Sequence, residues 1–208
     1  GTQVVLSGGM GTVNTMSNGQ QIVFIGGAGT VSSMSGGTQG VLSGGTGTVV
    51  TMTSGKQNID SGGTGTVGSI VGGYANQTIL NGGEGTVSSL DNGQQHIQSG
   101  GVGSALGTLG GTQNISNGGT GWVEKVTSNQ VISSGGTGTI GTMNSGEQRI
   151  ASGMGSIGVL SKGGQYVNSG SGTVGTMYNG SQEIYIGGSG SVGILSGGTG
   201  APASSAPA

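Results

Sequence analysis

The sequence predicts an all-β fold, a parallel β-solenoid (parallel β-helix) of about eleven coils of about 18 residues each. A Gly-x-Gly-[Thr/Ser]-Val unit recurs along the chain, and apolar residues keep the same places in every repeat. The composition is also unlike that of a globular enzyme, with 55 glycines, no cysteine and 3% aromatic residues among 208. Such a repeat is typical of folds in which each unit buries its apolar side against its neighbours.

The second glycine of the unit marks the period. Its spacing is 18 residues in most repeats, 17 in three and 20 in one. Random Gly/Ser/Thr sequence has no period, so we interpret residues 1–200 as solenoid and not as flexible linker. The eleven repeat glycines are Gly11, Gly29, Gly47, Gly65, Gly85, Gly103, Gly121, Gly138, Gly155, Gly172 and Gly190.

Each repeat divides into two short strands, each closed by a turn. Thr, Val and Ile favour strands, whereas Asn-Gly, Ser-Gly and Gly-Gly pairs supply the positive-φ positions of tight turns. No segment has a sustained helical period, so no helix is predicted. We expect most glycines to occupy turns or to punctuate the repeat, and residues 201–208, Ala/Pro/Ser-rich, to form a linker or disordered tail.

Three apolar columns are predicted to form the core. Because the first two are usually three residues apart, where alternation needs two or four, the chain has to bend or bulge between them. The first column is Val13, Val31, Val49, Val67, Val87, Ala105, Val123, Ile140, Ile157, Val174 and Val192. The second is Met16, Met34, Met52, Ile70, Leu90, Leu109, Val126, Met143, Leu160, Met177 and Leu195. The third is Val5, Val23, Val41, Ile59, Ile79, Ile97, Ile115, Ile132, Ile150, Val167 and Ile184.

A glutamine stands two residues before the third column in every repeat. Strand alternation puts it on the inward side, where stacked amides can donate and accept along the solenoid axis. We interpret this column as a structural ladder; an external ligand ladder is the alternative. Its members are Gln3, Gln21, Gln39, Gln57, Gln77, Gln95, Gln113, Gln130, Gln148, Gln165 and Gln182.

Composition excludes several classes of partner. The net charge of −2 provides no basic footprint for nucleic acid, and no apolar run is long enough to insert in a membrane. The absence of cysteine excludes thiolate metal sites and cysteine nucleophiles. The glycine motif resembles calcium-binding nonapeptides, but Val67 and its equivalents stand where the ligand aspartate is needed, so no metal is predicted.

No catalytic or cofactor site is predicted. Five matches to Gly-x-Gly-x-x-Gly open no helix and are by-products of the repeat. The carboxylates occupy different columns, and the single histidine, His96, lies in a chemically mixed column that is typical of solvent-facing positions. We therefore predict a non-enzyme, although some β-helices act on polysaccharides. The carboxylates are Asp60, Glu84, Asp91, Glu124, Glu147 and Glu183.

Two outward features are candidate binding surfaces. The Thr/Ser column after the repeat glycine resembles the threonine arrays of ice-binding solenoids, but Trp122 interrupts it. A second column, formed by the residues directly before the repeat glycines, is interrupted by Met10, Glu84, Val102 and Met154. Aromatic side chains suit stacking on sugars or on a protein partner. The aromatic candidates are Tyr74, Trp122, Tyr166, Tyr178 and Tyr185.

The motifs Ser-Gly-Gly-Thr-Gly-Thr-Val and Asn-Gly-Gln-Gln-x-Ile, repeated over residues 1 to about 200, resemble the passenger repeats of self-associating autotransporter adhesins of the diffuse-adherence type. The resemblance implies a right-handed parallel β-helix, secreted and anchored at the bacterial outer membrane through a C-terminal barrel. It implies cell adhesion, autoaggregation and biofilm formation, with partners on neighbouring cells, the chain itself included, or on host cells.

The same resemblance implies heptosylation of Ser/Thr by a dedicated glycosyltransferase. We carry acceptor positions over only where a strand ends in Ser before the glycine turn. These serines are Ser7, Ser43, Ser61, Ser99, Ser134, Ser152 and Ser169. Asn81, Asn117, Ile25 and Ile186 occupy the same column, so we do not expect uniform modification.

Overall fold

The computed structural model describes residues 1–42, 44–60, 62–108 and 110–200, and it confirms the predicted all-β parallel β-solenoid. Successive coils pair in parallel, so that residues about 18 apart are neighbours, as in Gly29 beside Gly47. The described residues form strands and turns and no helix. The predicted tail at 201–208 lies outside the described residues.

The described residues form nineteen strands, which belong to one sheet. They are β1 (Thr2–Val5), β2 (Met10–Met16), β3 (Gln20–Val23), β4 (Ala28–Val41), β5 (Thr46–Ile59), β6 (Thr64–Val71), β7 (Ala75–Ile79), β8 (Glu84–Asp91), β9 (Gln94–Ile97), β10 (Val102–Thr108), β11 (Thr112–Ile115), β12 (Thr120–Val126), β13 (Asn129–Ile132), β14 (Gly136–Met143), β15 (Glu147–Ile150), β16 (Gly153–Val167), β17 (Gly170–Ile184), β18 (Gly188–Leu195) and β19 (Gly198–Gly200).

The bend between the first two columns is confirmed. The ladder pairs Val13 with Val31 and resumes at Thr15 with Ser33, so the residue between them is left out of the pairing. In five coils that residue is a glycine: Gly68, Gly141, Gly158, Gly175 and Gly193. A Cβ on Gly158 would lie 2.7 Å from the carbonyl oxygen of the preceding coil, which explains the preference for glycine at this corner.

The expectation of two separate strands per coil is wrong in four coils. Strands β4, β5, β16 and β17 run for 14 or 15 residues through both halves. In β4 and β5 the chain turns at Gly37 and Gly55, with φ of 86° and 97°. Because glycine reaches this left-handed region without steric penalty, the chain turns its corner while the inter-coil hydrogen bonds continue.

The core consists of two apolar clusters. The first and second columns pack together, and the third packs by itself. Leu195 is 54% exposed, because no further coil covers it within the described residues. Leu109 lies outside the described residues, and the second-column place in its coil belongs to Thr108, which pairs with Leu90 and Val126. Thr108 is buried and its Oγ1 has no hydrogen-bond partner.

The repeat glycines are not turn residues. All but the exposed Gly190 lie buried within strands, facing the glutamine column. A Cβ on Gly47 would lie 2.3 Å from Val41 Cγ2 and 2.8 Å from Gln39 Oε1. Glycine at this place therefore lets the two halves of a coil approach closely. The left-handed turn glycines are a different set, represented by Gly8 and Gly26 with φ of 69° and 65°.

Candidate functional site

The glutamines form an internal hydrogen-bonded ladder. Each Nε2 donates to the Oε1 of the glutamine one coil earlier at 2.6 or 2.7 Å, from Gln3 through to Gln182. Several also donate to main-chain carbonyls, as Gln39 does to Gly29 O at 3.2 Å. All but the half-buried Gln3 are buried. From Gln21 to Gln182 the ladder is therefore enclosed within the solenoid.

Five of the seven candidate acceptor serines lie in described turns that follow the third column. Ser7, Ser99, Ser134, Ser152 and Ser169 are exposed there, whereas Ser43 and Ser61 lie outside the described residues. A hydrogen bond from Gly101 N to Gln98 O, 2.9 Å long, closes the turn around Ser99. The five described serines therefore line one exposed edge of the solenoid.

Two of the five candidate aromatics come together on one face. Tyr166 and Tyr185 border a depression of about 350 Å³ together with Glu147, Arg149 and Asn168. Tyr185 Oη donates to Glu183 Oε2 at 2.9 Å, and Tyr185 is 49% exposed.

The other three aromatics are dispersed. Tyr74 is 85% exposed in the turn between β6 and β7, within the repeat that is two residues longer than most. Trp122 lies in the outward Thr/Ser column, and Tyr178 follows the second-column residue Met177. They share no depression with the tyrosine pair.

The outward Thr/Ser column is partly hydrogen-bonded to itself. Thr86 Oγ1 and Ser104 Oγ are 3.2 Å apart, and Ser156 Oγ donates to Thr139 Oγ1 at 3.1 Å. Trp122 lies between these two pairs in the same column and breaks the file of hydroxyls. The surface is therefore a hydroxyl-lined face of limited regularity.

Four of the six described carboxylates, Asp60, Asp91, Glu147 and Glu183, accept a side-chain hydrogen bond at the surface. Within the described ranges, no three His, Asp or Glu side chains are placed to share a metal ion. Arg149 Nε donates to Glu147 Oε2 at 2.6 Å, which raises the pKa of Arg149. Asn81 donates to Asp60. Burial, followed by the charge of Lys56, lowers the pKa of the half-buried His96.

Sequence reasoning missed an apolar surface on the strands that carry the glutamines. We define the N-terminal apolar patch as Val4, Leu6, Ile22, Phe24 and Leu42, of which Val4 and Leu6 are 52% and 63% exposed. Beside it lies a depression of about 390 Å³ centred on Gly40. The signal in the sequence is the 18-residue period of Leu6, Phe24 and Leu42, each directly after a third-column residue.

The depression exists because Gly40 has no side chain. Ile22, Leu42, Asn58 and Leu80 border it, and a Cβ added at Gly40 would meet no heavy atom within 4 Å. Gly40 also lies outside the left-handed region, so no backbone requirement explains it. The space above Gly40 is therefore unoccupied, whereas a residue with a side chain follows the ladder glutamine in every other repeat.

The protein is a repeat solenoid in which equivalent side chains of successive coils form rows along the surface. A similar solved structure is the crystal structure of a hyper-glycosylated TibA55-350 fragment, whose glycosylation is catalysed by TibC. It has 27% sequence identity and a TM-score of 0.57, over 96% of this chain and 85% of that chain. No family model and no curated protein matches.

The likeness supports an adhesin-passenger-like kind of β-solenoid for this chain. The similar chain carries sugars that another protein adds, so it is a substrate of glycosylation. Nowhere in the described part of the chain is there a helix long and apolar enough to cross a bilayer.

Proposed function

We propose that the chain is a non-enzymatic bacterial surface adhesin and self-association module that mediates cell adhesion, autoaggregation and biofilm formation. The observation that carries the proposal is the likeness to the glycosylated TibA fragment over 96% of the chain. The adhesin resemblance of the repeat motifs adds to it. A solenoid also suits this role because each coil repeats the same outward files, so contacts can be multiplied along its length.

Surface display on non-aggregating bacteria tests the proposal. Cells that display residues 1–200 are expected to settle faster than cells that display the same carrier alone, and to bind more to a host-cell monolayer. Protease removal of the displayed chain should abolish both effects. Settling and binding at the level of the carrier control, with the chain detected on the surface, would refute the proposal.

We further propose that the exposed turn serines accept sugars from a glycosyltransferase, and that the protein resides at the bacterial surface, anchored through an outer-membrane barrel. The hyper-glycosylation of the TibA fragment and the exposure of Ser7, Ser99, Ser134, Ser152 and Ser169 support the first part.

Intact mass after co-expression with TibC tests the acceptor assignment. We expect a series of masses above the 19.6 kDa of the bare chain, separated by one sugar unit. Replacement of the five described turn serines by Ala should remove most of the series. Replacement of Ser88, Ser104, Ser156, Ser171 and Ser191, which lie on strands, is the matched control and should leave it. An unmodified mass, or loss only in the control, would contradict the assignment.

A further inference from the structure

The depression bordered by Tyr166 and Tyr185 gathers side chains that suit a small polar ligand. We call it the tyrosine depression; its other lining residues are Glu147, Arg149 and Asn168. Its volume of about 350 Å³ lies within the range of about 300–1,000 Å³ that is typical of small-ligand sites. The chain has only four tyrosines, one tryptophan and one phenylalanine, and two of these aromatic residues meet here from successive coils.

The Tyr166 ring lies over Gly164, two residues earlier on the same strand. A Cβ at Gly164 would lie 2.8 Å from Tyr166 Cε2 and 3.0 Å from Cζ and Oη, so any other residue would displace the ring. The φ of Gly164 is outside the left-handed region, so the backbone does not require glycine here. Each of the other ladder glutamines is preceded by a residue with a side chain. Gly164 therefore gives the ring room to lie along its strand.

The second ring and the guanidinium are each held by a carboxylate. Tyr185 Oη donates to Glu183 Oε2 at 2.9 Å, and Arg149 Nε donates to Glu147 Oε2 at 2.6 Å. Each carboxylate precedes the group it holds by two residues, which places both on the same side of the chain. These side chains are therefore oriented before a ligand arrives, and less conformational entropy is lost on binding.

The polar groups beside the rings match hydroxyl groups. Arg149 keeps its two Nη groups as donors, because its ion pair uses Nε. The second oxygens of Glu147 and Glu183 can accept, and the exposed amide of Asn168 can do both. A hydroxyl both donates and accepts, so a ligand with several adjacent hydroxyls can bind all of these groups. The aromatic ring of Tyr166 adds a flat apolar surface on which the C–H face of a sugar ring can stack.

The charge of the site favours a neutral ligand. One cation, Arg149, is accompanied by two carboxylates, Glu147 and Glu183, so one negative charge is in excess. Arg149 is also already paired, which weakens its attraction for another anion. A cationic ligand, in turn, would have to compete with Arg149 for Glu147. Charge complementarity of this kind determines which partners are accepted.

We propose that the tyrosine depression binds a neutral hexopyranose unit of a glycan, with the sugar ring stacked on Tyr166 and its hydroxyls bonded to Arg149, Asn168 and the carboxylates. The proposal rests on the proposed adhesion and names the chemical class of its partner. A single shallow site binds weakly, but many copies of the chain on one cell multiply the contacts.

Saturation-transfer NMR on the purified chain tests the ligand class. The probes are methyl β-glucoside, methyl β-galactoside and the two matching uronides, in which a carboxylate replaces the terminal CH₂OH. We expect at least one neutral glycoside to bind at millimolar concentration, and its uronide to bind about fivefold more weakly because of the excess negative charge. The proposal is wrong if neither neutral glycoside binds, or if the uronide binds as tightly as its neutral counterpart.

Removal of the stacking ring tests the location of the site. Tyr166→Ala should lower the affinity for the bound glycoside about tenfold. Tyr178→Ala is the matched control, because Tyr178 is a 47% exposed tyrosine that does not line the depression. It should bind like the natural chain. Circular dichroism checks that both variants fold, and equal affinities of the two folded variants would place the sugar elsewhere.

A variant that keeps every lining residue tests the geometry independently. Gly164→Thr should bind as weakly as Tyr166→Ala, because the new side chain takes the place of the ring. The fold should survive, since threonine stands at the equivalent place at Thr38 and Thr112. Gly40→Thr adds the same side chain to open space on the same strands and should bind normally. Undiminished binding by Gly164→Thr would contradict the proposed stacking.

Displayed cells separate this proposal from the proposed adhesion. If the purified chain binds no glycoside while the cells still bind the host-cell monolayer, the sugar site is wrong and adhesion stands. If the chain binds a glycoside while the cells do not adhere, adhesion fails and the sugar site stands. Where both hold, free glycoside distinguishes the sources of the glycan: release of cells from the monolayer assigns a host glycan, and release of cells from one another assigns a bacterial one.

Discussion

At the scale of single residues, the solenoid depends on one repeated contact between a glycine and a glutamine. The repeat glycine has no side chain, so the glutamine amide of the preceding strand can pass beside it and bond to the glutamines of the neighbouring coils. Gln39 illustrates this, with Gly47 against its Oε1 and with Nε2 bonded to Gln21 and to Gly29 O. Each coil thereby satisfies a buried amide that would be unfavourable without partners.

Gly47→Ala is expected to destabilise the protein by about 1–3 kcal/mol, because overpacking of this size strains the neighbours. The added Cβ would lie 2.3 Å from Val41 Cγ2, and valine has little freedom to turn away. The measurement is urea unfolding followed by circular dichroism. Gly40→Ala, seven residues earlier and surrounded by open space, is the control and should be near neutral. Equal unfolding midpoints would mean that the repeat glycine is not required for close packing.

Gln95→Met is expected to lower the free energy of unfolding by about 2–4 kcal/mol. It would leave two buried groups without ladder partners, Gln77 Oε1 and Gln113 Nε2, and each unsatisfied group costs about 1–3 kcal/mol. Gln3→Met, at the half-buried start of the ladder, removes one bond and should cost about 1 kcal/mol. Similar losses for both variants would show that ladder position does not matter.

His96 is expected to make stability depend on pH. Its pKa is lowered in the folded state by burial and by Lys56, so the unfolded chain takes up the proton first as the pH falls. Stability should therefore decrease as the pH drops below about 6.5, and the loss should level off below the folded pKa. Unfolding midpoints at pH 7.5 and 5.5 measure it. His96→Gln should remove this part of the pH dependence; an unchanged dependence would assign it to the carboxylates.

At the scale of elements, the turn after the third column is built in two ways. Asn81, Ser99, Asn117 and Ser134 adopt positive φ, between 49° and 52°, each followed by a glycine that also has positive φ. Ser7 and Ser152, at the same place in other coils, do not. The sequence alone does not distinguish the two forms, because Ser-Gly occurs in both.

Ser134→Asn is expected to stabilise the protein by about 0.5–1 kcal/mol, because asparagine tolerates the left-handed region better than serine does. Ser152→Asn is the matched control in the same turn position with an ordinary φ, and should give no gain. Thermal unfolding of the unmodified protein measures both. A gain at Ser152 equal to that at Ser134 would contradict the backbone explanation.

The columns, the coil length and the corner between the first two columns could be predicted because apolar side chains repeat with a fixed period. The role of the repeat glycines could not. A glycine needed for close packing and a glycine needed for positive φ look identical in a sequence, so Gly47 and Gly44 differ only in three dimensions. The second-column position of that coil was predicted at Leu109 but is occupied by Thr108. The prediction failed because a search for apolar periodicity selects leucine over the neighbouring threonine.

At the scale of the whole molecule, the candidate surfaces depend on which residues come together over many coils. The serine column could be located from the repeat, since its members share one place in each coil. By contrast, the repeat did not predict that Tyr166 and Tyr185 border one depression, or that a depression lies at Gly40. They arise where one coil departs from its neighbours: a tyrosine follows Gln165, and a glycine follows Gln39.

For the whole molecule, we propose that the solenoid alone is sufficient for self-association between surfaces. The direct measurement is clustering of microbeads that carry the purified chain, followed by light scattering. We predict that the beads cluster, that soluble chain disperses them in proportion to its concentration, and that beads coated with a solenoid of unrelated sequence stay apart. Beads that remain dispersed at high coating density would contradict the central claim.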